Sequence, residues 1–285
     1  MADGLAGDGL AADEARDGVG AVARRVLAAL DGRRQIASLE RAGELPSLAA
    51  AYRVASAVRR VRAARGERPV GRKIGFTNTR MWDEHGVRAP IWSTVYGTTL
   101  MPLAGEPPFD LAAVVEPRIE PEIVFGLARA PEPGMDEAAL LGCVAFVAHG
   151  FEIVQSLYPG WRFTAADTVA AFGLHGALLV GPKSPVTPGT AAAWRASLSA
   201  FTVTLLRDGV VADEGSAAEV LGGGPLTALR HLVEILAEDS DGPPLAAGEI
   251  VSTGTLTRAL PVAPGETWTS RLSGLPLPDL RLTLA

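Results

Sequence analysis

The chain has 285 residues, 48% of them apolar and 20% charged, with a formal charge of −6, so it can bury a substantial core. That acidic balance excludes a general attraction to nucleic acid or to an anionic membrane, and an anionic substrate would need local positive charge from a metal or a placed Lys or Arg. One cysteine, Cys143, excludes an intramolecular disulfide, and its neighbours Val144, Ala145 and Phe146 are those of a buried thiol without a chemical role.

Residues 1–20 hold five acids against one Arg and read as a disordered acidic tail. They lack the basic start and apolar run of a signal peptide, and no apolar stretch approaches the ~20 residues that span a bilayer. A cytoplasmic protein is expected. From 21 to 68 the pattern is that of a small helical unit. Val22, Val26, Leu27 and Leu30 recur at helical spacing, Gly43 and Pro46 interrupt, and Ser47 is a fitting N-cap for a second helix that runs to about Arg65. Arg53, Arg59, Arg60, Arg62 and Arg65 on that helix are expected to form a solvated face.

The texture changes over 69–285. Short β-rich runs (Val70–Phe76, Ile91–Tyr96, Ile119–Leu127, Cys143–Val154, Gly176–Val180, Phe201–Leu206, Glu249–Thr255) are broken by Gly and Pro, with one clear helix over Pro225–Glu238. This predicts an α+β fold dominated by β structure, with no dinucleotide fingerprint and no phosphate loop.

Glu120 and Glu122 lie at i and i+2 in Ile119-Glu120-Pro121-Glu122-Ile123, which puts both carboxylates on one face of a strand among apolar neighbours. Like charges there call for a cation. The other reading, surface glutamates on an edge strand, stays open at this point. Pro117 and Pro121 argue for an edge or bulged strand, because each removes a ladder donor. Glu116 shares the parity of the pair. Glu152 ends an apolar run and would complete an all-oxygen site, suited to Mg²⁺ or Mn²⁺ rather than Zn²⁺ in a chain with four histidines and no clustered motif. Lys73 stands between glycines in Gly71-Arg72-Lys73-Ile74-Gly75. It could stabilise developing negative charge or lie exposed on its strand. Trp161 and Phe163 could wall a pocket or pack in the core. Ser252-Thr253-Gly254-Thr255 could bind a carboxylate or form a plain turn.

In this order the segments Gly71–Asn78, Ile119–Ile123, Phe151–Val154, Tyr158–Phe163 with Asp167-Thr168, and Ser252–Thr257 resemble the fumarylacetoacetate hydrolase superfamily. Within it they are similar to the 2-keto-4-pentenoate hydratases and 4-oxalocrotonate decarboxylases. The resemblance runs from about Val22 to the C-terminus. It implies mixed sheets in a distorted roll or barrel, Glu120, Glu122 and Glu152 as ligands of Mg²⁺ or Mn²⁺, and Lys73 as the catalytic residue. It also implies Arg72, Trp161, Phe163, Asp167, His175, Gly254 and Thr255 around the substrate. The implied activity is a hydro-lyase acting on a small 2-hydroxydienoic or 2-oxo acid through a metal-stabilised enolate, in a homo-oligomer. Decarboxylation of a 2-oxo diacid, C–C hydrolysis of an acylpyruvate and a non-catalytic partner subunit are the alternatives. Hydrolysis needs a base, and Glu84-His85 is the adjacent His/Glu pair before Glu120. The chain departs from the branch by lacking an acid in Ala89–Trp92, and an Asp-Asn and a Ser within Ala171–His175. The pocket is therefore expected to be more apolar, for a larger or less polar substrate, with His175 as a replacement acid/base or a packed structural residue.

Overall fold

The structure is a computed structural model that describes residues 18–79, 82, 87–103, 108–239 and 242–285. Residues 1–17 of the expected tail and the Glu84-His85 pair lie outside them. Two helices open the described chain, α1 (Val19–Asp31) and α2 (Leu48–Ala64). The Ser47 side chain caps α2 by accepting from the Ala50 amide at 3.2 Å, and so offsets one of the donors a helix start leaves unpaired. Val22, Val26 and Leu27 of α1 and Ala51, Val54 and Val58 of α2 are buried at helical spacing, whereas Leu48 is exposed. These side chains share one hydrophobic cluster with Ile91, Val154, Tyr158, Phe163 and Phe172 from the rest of the chain.

The arginine face of α2 departs from expectation. Arg53, Arg60 and Arg65 are exposed, but Arg62 is buried. Its guanidinium lies 3.8 Å from the Tyr96 ring centroid and 5.4 Å from that of Phe172, with Glu67 Oε2 accepting from Nε at 2.9 Å. Arg59 lies over Trp92. Cation–π contact and a paired carboxylate explain how the charge leaves water.

Twelve strands follow among the described residues: β1 (Pro69–Gly75), β2 (Ile91–Tyr96), β3 (Leu100–Pro102), β4 (Arg118–Leu127), β5 (Val144–Val154), β6 (His175–Pro185), β7 (Thr202–Arg207), β8 (Val210–Ser216), β9 (Ile250–Thr255), β10 (Leu260–Pro261), β11 (Thr267–Ser273) and β12 (Leu280–Thr283). Between them run α3 (Glu137–Leu141), α4 (Ala165–Ala170), α5 (Ala191–Leu198) and α6 (Pro225–Glu238). The larger sheet is mixed, curls, and is ordered β2-β1-β9-β4-β5-β6-β3 with β10 beside β4; the smaller is antiparallel, ordered β12-β11-β7-β8. This is the α+β, β-rich architecture with a small helical N-terminal unit that the motifs imply.

The curl has a concave face. On it Val95, Val124, Ala148, Leu178, Val180 and Ile250 form a compact apolar cluster. By strand parity Glu120, Glu122, Glu152, Lys73 and Ser252 continue that face. Ile119, Phe151, Ile153 and Leu179 point to the other side and pack against Leu205, Trp268, Leu280 and Leu282 of the smaller sheet. The charged side chains thus stand at one end of an otherwise apolar face.

β4 is central rather than an edge. Its prolines are accommodated because β10 pairs with Arg118 and Ile119, while the β9 ladder begins at Glu122 and shifts register between Glu122 and Val124. Pro121 falls in the gap between those two ladders, where the missing N–H leaves no break. Glu116 does not share the strand face. It sits before β4 at φ 44°, and its carboxylate accepts from the Gly160 amide at 3.0 Å.

Candidate metal and active site

The β4–β5 register sets Glu120 directly opposite Glu152 and Glu122 opposite Gly150. Carboxylate oxygens of Glu120, Glu122 and Glu152 all lie within 4.8 Å of one another. Glu122 and Glu152 are fully buried, and Glu120 is half-buried. Cross-strand like charges at such range destabilise a sheet unless positive charge stands among them.

Part of that charge is Lys73. It occupies β1 opposite Ser252 of β9, is buried, and brings Nζ to 2.7 Å from Glu152 Oε2. The other oxygen, Oε1, is 2.7 Å from His175 Nδ1, and His175 Nε2 is 2.8 Å from the Thr99 hydroxyl. Since a carboxylate only accepts, Nδ1 carries a proton. Glu122 is held differently. Its Oε2 accepts from the Ser252 hydroxyl and, at 3.0 Å, from the Gly254 amide, while its Oε1 is buried with no hydrogen-bond partner.

Burial is the leading influence on all four charges. It pushes the Glu120 carboxyl up to about 7, with Lys73 opposing and Glu152 adding to the rise. It raises Glu122 well above the usual carboxylate range, with the neighbouring Glu152 charge reinforcing it. For Glu152 burial is outweighed by Lys73 and His175, which hold the carboxyl below its ordinary value. For Lys73 burial would lower the ammonium, but Glu152, Glu120 and Glu122 outweigh it and hold it above its usual range. Lys73 pairs directly with Glu152 and acts on Glu120 and Glu122 at longer range, with Arg118 adding to it at Glu120, so three acids share one buried ammonium. A divalent cation fits the vacancy in charge, and the orphaned Glu122 Oε1 is a buried acceptor aimed at no protein donor.

The Glu120 and Glu122 carboxylates open into a cavity of about 80 Å³. Lys73, Glu120, Glu122, Trp161, Phe163, Gly254 and Thr255 line it, so these expected site residues come together. Four others are not on the wall, and of these Glu152 pairs with Lys73 and His175. Arg72 faces away from the cavity, with Nη1 3.2 Å from Glu249 Oε1 and its guanidinium 5.5 Å from the Trp92 ring centroid. This follows from strand alternation, which sends neighbours Arg72 and Lys73 to opposite faces. Asp167 is a structural hub. It completes a capping box with Thr164 at the start of α4 and accepts from Ser38 Oγ at 2.6 Å and the Leu39 amide at 2.8 Å. His175 is not on the cavity wall but behind Glu152, which it orients.

Residues not singled out as site residues join the wall as well, among them Thr77, Arg118, Ile91 and Leu174. Thr77 Oγ1 is buried without a partner and presses on Gly254, where an added Cβ would come 1.9 Å from it. Gly254 also has φ 97°, so glycine is required there on two counts. Arg118, two residues before Glu120, stacks 4.1 Å from the Trp161 ring centroid. Its parity with Glu120 was a usable signal. For Ile91 and Leu174 local spacing carried no signal, because both come from other elements, and only the family resemblance marked their segments as part of the pocket.

No family model matches the chain. A 2-keto-4-pentenoate hydratase from Paraburkholderia phymatum is 32% identical over 216 residues, 75% of this chain and 78% of that protein. A 4-oxalocrotonate decarboxylase from Pseudomonas sp. strain CF600 is 31% identical over 220 residues, 76% of this chain and 79% of that protein. The solved structure of 4-oxalocrotonate decarboxylase from Pseudomonas putida G7, complexed with magnesium and adipate, superposes with a TM-score of 0.84 at 27% identity and covers 95% of this chain and 98% of that chain. The chain belongs to the 2-keto-4-pentenoate hydratase and 4-oxalocrotonate decarboxylase family.

Proposed function

We propose that this chain is a Mg²⁺- or Mn²⁺-dependent lyase of the hydratase type, acting on a small 2-hydroxydienoic or 2-oxo acid. The observation that carries the reading is the opposed pair Glu120 and Glu152, with Glu122 beside them and its buried Oε1 unpartnered. Glu120, Glu122 and Glu152 would hold the ion. When bound, it supplies Lewis-acid stabilisation of negative charge on a 2-oxo acid. The neighbouring relative's magnesium complex supports the choice of a hard cation.

The chain's own groups then have distinct tasks. Lys73 keeps its proton and stands at the carboxylate end of the cavity, where Nζ can meet negative charge on a substrate oxygen or return a proton to carbon. His175, braced by Thr99, fixes the Glu152 carboxylate. Ser252 and the Gly254 amide fix that of Glu122. The Thr77 hydroxyl is a donor facing the cavity, placed to receive a substrate carboxylate oxygen. Trp161 and Phe163, with ring centroids 5.9 Å apart, exclude water from the far wall.

Decarboxylation of a 2-oxo acid on the same site is the second reading, and one observation favours it. Among the described wall residues Lys73 is the group poised to move a proton, whereas hydration needs one group to activate water and another to protonate carbon. A cytoplasmic homo-oligomer, with neither nucleic acid nor membrane as partner, completes the proposal. The acidic net charge supports it, and no helix among the described residues is long and apolar enough to cross a membrane.

The deciding experiment offers the Mg²⁺- or Mn²⁺-loaded protein 2-hydroxydienoates, 2-oxo diacids and acylpyruvates, with products weighed by mass spectrometry. Water gain marks a hydratase, CO₂ loss a decarboxylase, and chain cleavage a hydrolase. Turnover of none of them, together with failure to bind metal, would sink the enzymatic reading and favour a partner subunit.

A further inference from the structure

The cavity has a buried end and a rim. Most of its wall is buried, whereas Phe76, Arg118, Trp161, Thr255 and Ala259 are half-buried and so mark the side that solvent approaches. Three of these are in contact with one another. The Arg118 guanidinium lies 4.1 Å from the Trp161 ring centroid and donates to the Ala259 carbonyl at 3.5 Å. Arg118 stands two residues before Glu120 on β4, so its charge faces the same side as the carboxylates.

Trp161 reaches this rim through a turn that does not hold itself. Gly160 and Trp161 have φ 64° and 59°, and Phe76 and Leu174 come to the same cavity at 55° and 62° from other segments. A bulky L-residue rarely adopts left-handed backbone, and its surroundings have to impose it. At Trp161 the imposing residue is Glu116. The two Glu116 carboxylate oxygens accept from the Gly160 amide at 3.0 and 3.2 Å, and the Glu116 carbonyl accepts from the Trp161 indole Nε1 at 3.0 Å.

The base of the same two segments is tied separately. The Ser156 amide donates to the Val115 carbonyl at 3.0 Å, and the Val115 amide donates to Gln155 Oε1 at 3.2 Å. Gln155 and Ser156 are buried, whereas Glu116 and Gly160 are exposed. Water can replace the hydrogen bonds at the exposed tip, so they matter little for folding and much for whether the strained turn stays closed.

We propose that Glu116 is a positioning residue for the ligand of this cavity. By fixing the Gly160–Trp161 turn it keeps Trp161 against Arg118 and narrows the rim, so that an anionic ligand is retained beside Glu120. The inference rests on the 2-oxo acid reading of the site.

The test compares native, Glu116→Ala and Glu116→Gln proteins, full-length and Mg²⁺-loaded, by two readouts. In calorimetric titration Glu116→Ala should weaken pyruvate about fivefold, the worth of one hydrogen bond, with Mg²⁺ affinity unchanged. Glu116→Gln, whose amide oxygen still accepts from Gly160, should restore most of that affinity. Trypsin cleavage between exposed Arg162 and buried Phe163 requires the turn to open, so it should be about fivefold faster in Glu116→Ala than in native protein. Unchanged pyruvate affinity in Glu116→Ala overturns the proposal, as does a Mg²⁺ affinity that falls in step with it or a Glu116→Gln protein as weak as Glu116→Ala. If native protein binds no pyruvate, the 2-oxo acid reading fails instead, and an unchanged rate of cleavage after Arg162 would then show that Glu116 does not hold the turn.

Discussion

Glu120 and Glu152 face each other directly across the β4–β5 ladder, with Lys73 on the Glu152 side and Glu122 Oε1 buried without a hydrogen-bond partner among the described residues. Without an ion this is an electrostatic defect at the end of an apolar trough, and with one it is a ligand set. Replacing Glu120 should therefore have opposite consequences for the apo and loaded protein, whereas replacing Glu152 would also strip Lys73 of its buried partner.

Glu120→Gln keeps the shape and removes one charge. The apo protein should gain about 1 kcal/mol from relief of repulsion, and the stabilisation that excess Mg²⁺ gives the native protein should vanish. Thermal melts with and without Mg²⁺ measure both; an unchanged Mg²⁺-induced shift would show that Glu120 is not a ligand.

Lys73→Met takes the ammonium from beside buried Glu152. Breaking one side of a buried pair costs about 3 kcal/mol, and a divalent ion should recover part of that loss. Urea melts of the apo and Mg²⁺-loaded variants check the stability, and turnover should fall at least ~100-fold if Lys73 carries proton or charge in the reaction.

Thr77→Val removes a buried hydroxyl that has no protein partner. Stability should hold or rise slightly, because an unsatisfied donor is lost, whereas affinity for a 2-oxo acid should drop about 10-fold, the worth of one hydrogen bond to a charged group. Thr77→Ser should restore it. A large loss of stability with unchanged ligand affinity would make the residue structural.

His149 gives the pH dependence a sign. It is buried between the sheets, with Nε2 2.9 Å from the Ser270 hydroxyl and Nδ1 3.4 Å from the Pro278 carbonyl. Burial lowers its pKa to about 4, against a small rise from the Pro278 hydrogen bond. Between that value and the unfolded value of about 6.5 the unfolded chain binds the extra proton, so stability falls as pH drops through this window. The loss is about 2 kcal/mol by pH 5. Comparing native and His149→Gln proteins by urea melts at pH 7.5 and 5 isolates this group, since shared carboxylate effects cancel; equal slopes would refute it.

Much of the fold was legible locally. Ile91–Tyr96 and Pro225–Glu238 are the same in pattern and in structure, because a continuous apolar run and an amphipathic stripe after a Gly-rich turn state their period within a few residues. The smaller sheet was not. Of its strands only β7 was signalled, since β8, with Asp213 and Glu214, and β11, with Thr267 to Arg271, alternate polar residues that only partner strands can order. The central placement of β4 was hidden for a related reason. Pro121 forbids a ladder bond, and only the gap between β10 and β9 shows that none is needed.

The sequence alone determined that Glu120 and Glu122 share a strand face and that Glu152 closes a buried apolar run, and its family resemblance singled out the three as candidate ligands. Carboxylates two apart on a strand must share a face, and an acid closing a buried run must find a counter-charge. Tertiary structure decided which residues meet around them. Strand alternation turned Arg72 away from Lys73, the α4 capping box claimed Asp167, and His175 went behind Glu152. Positive φ at Phe76, Trp161 and Leu174 turned three distant segments toward one cavity. Contacts between elements depend on register and backbone handedness across the whole sheet, which no local spacing encodes.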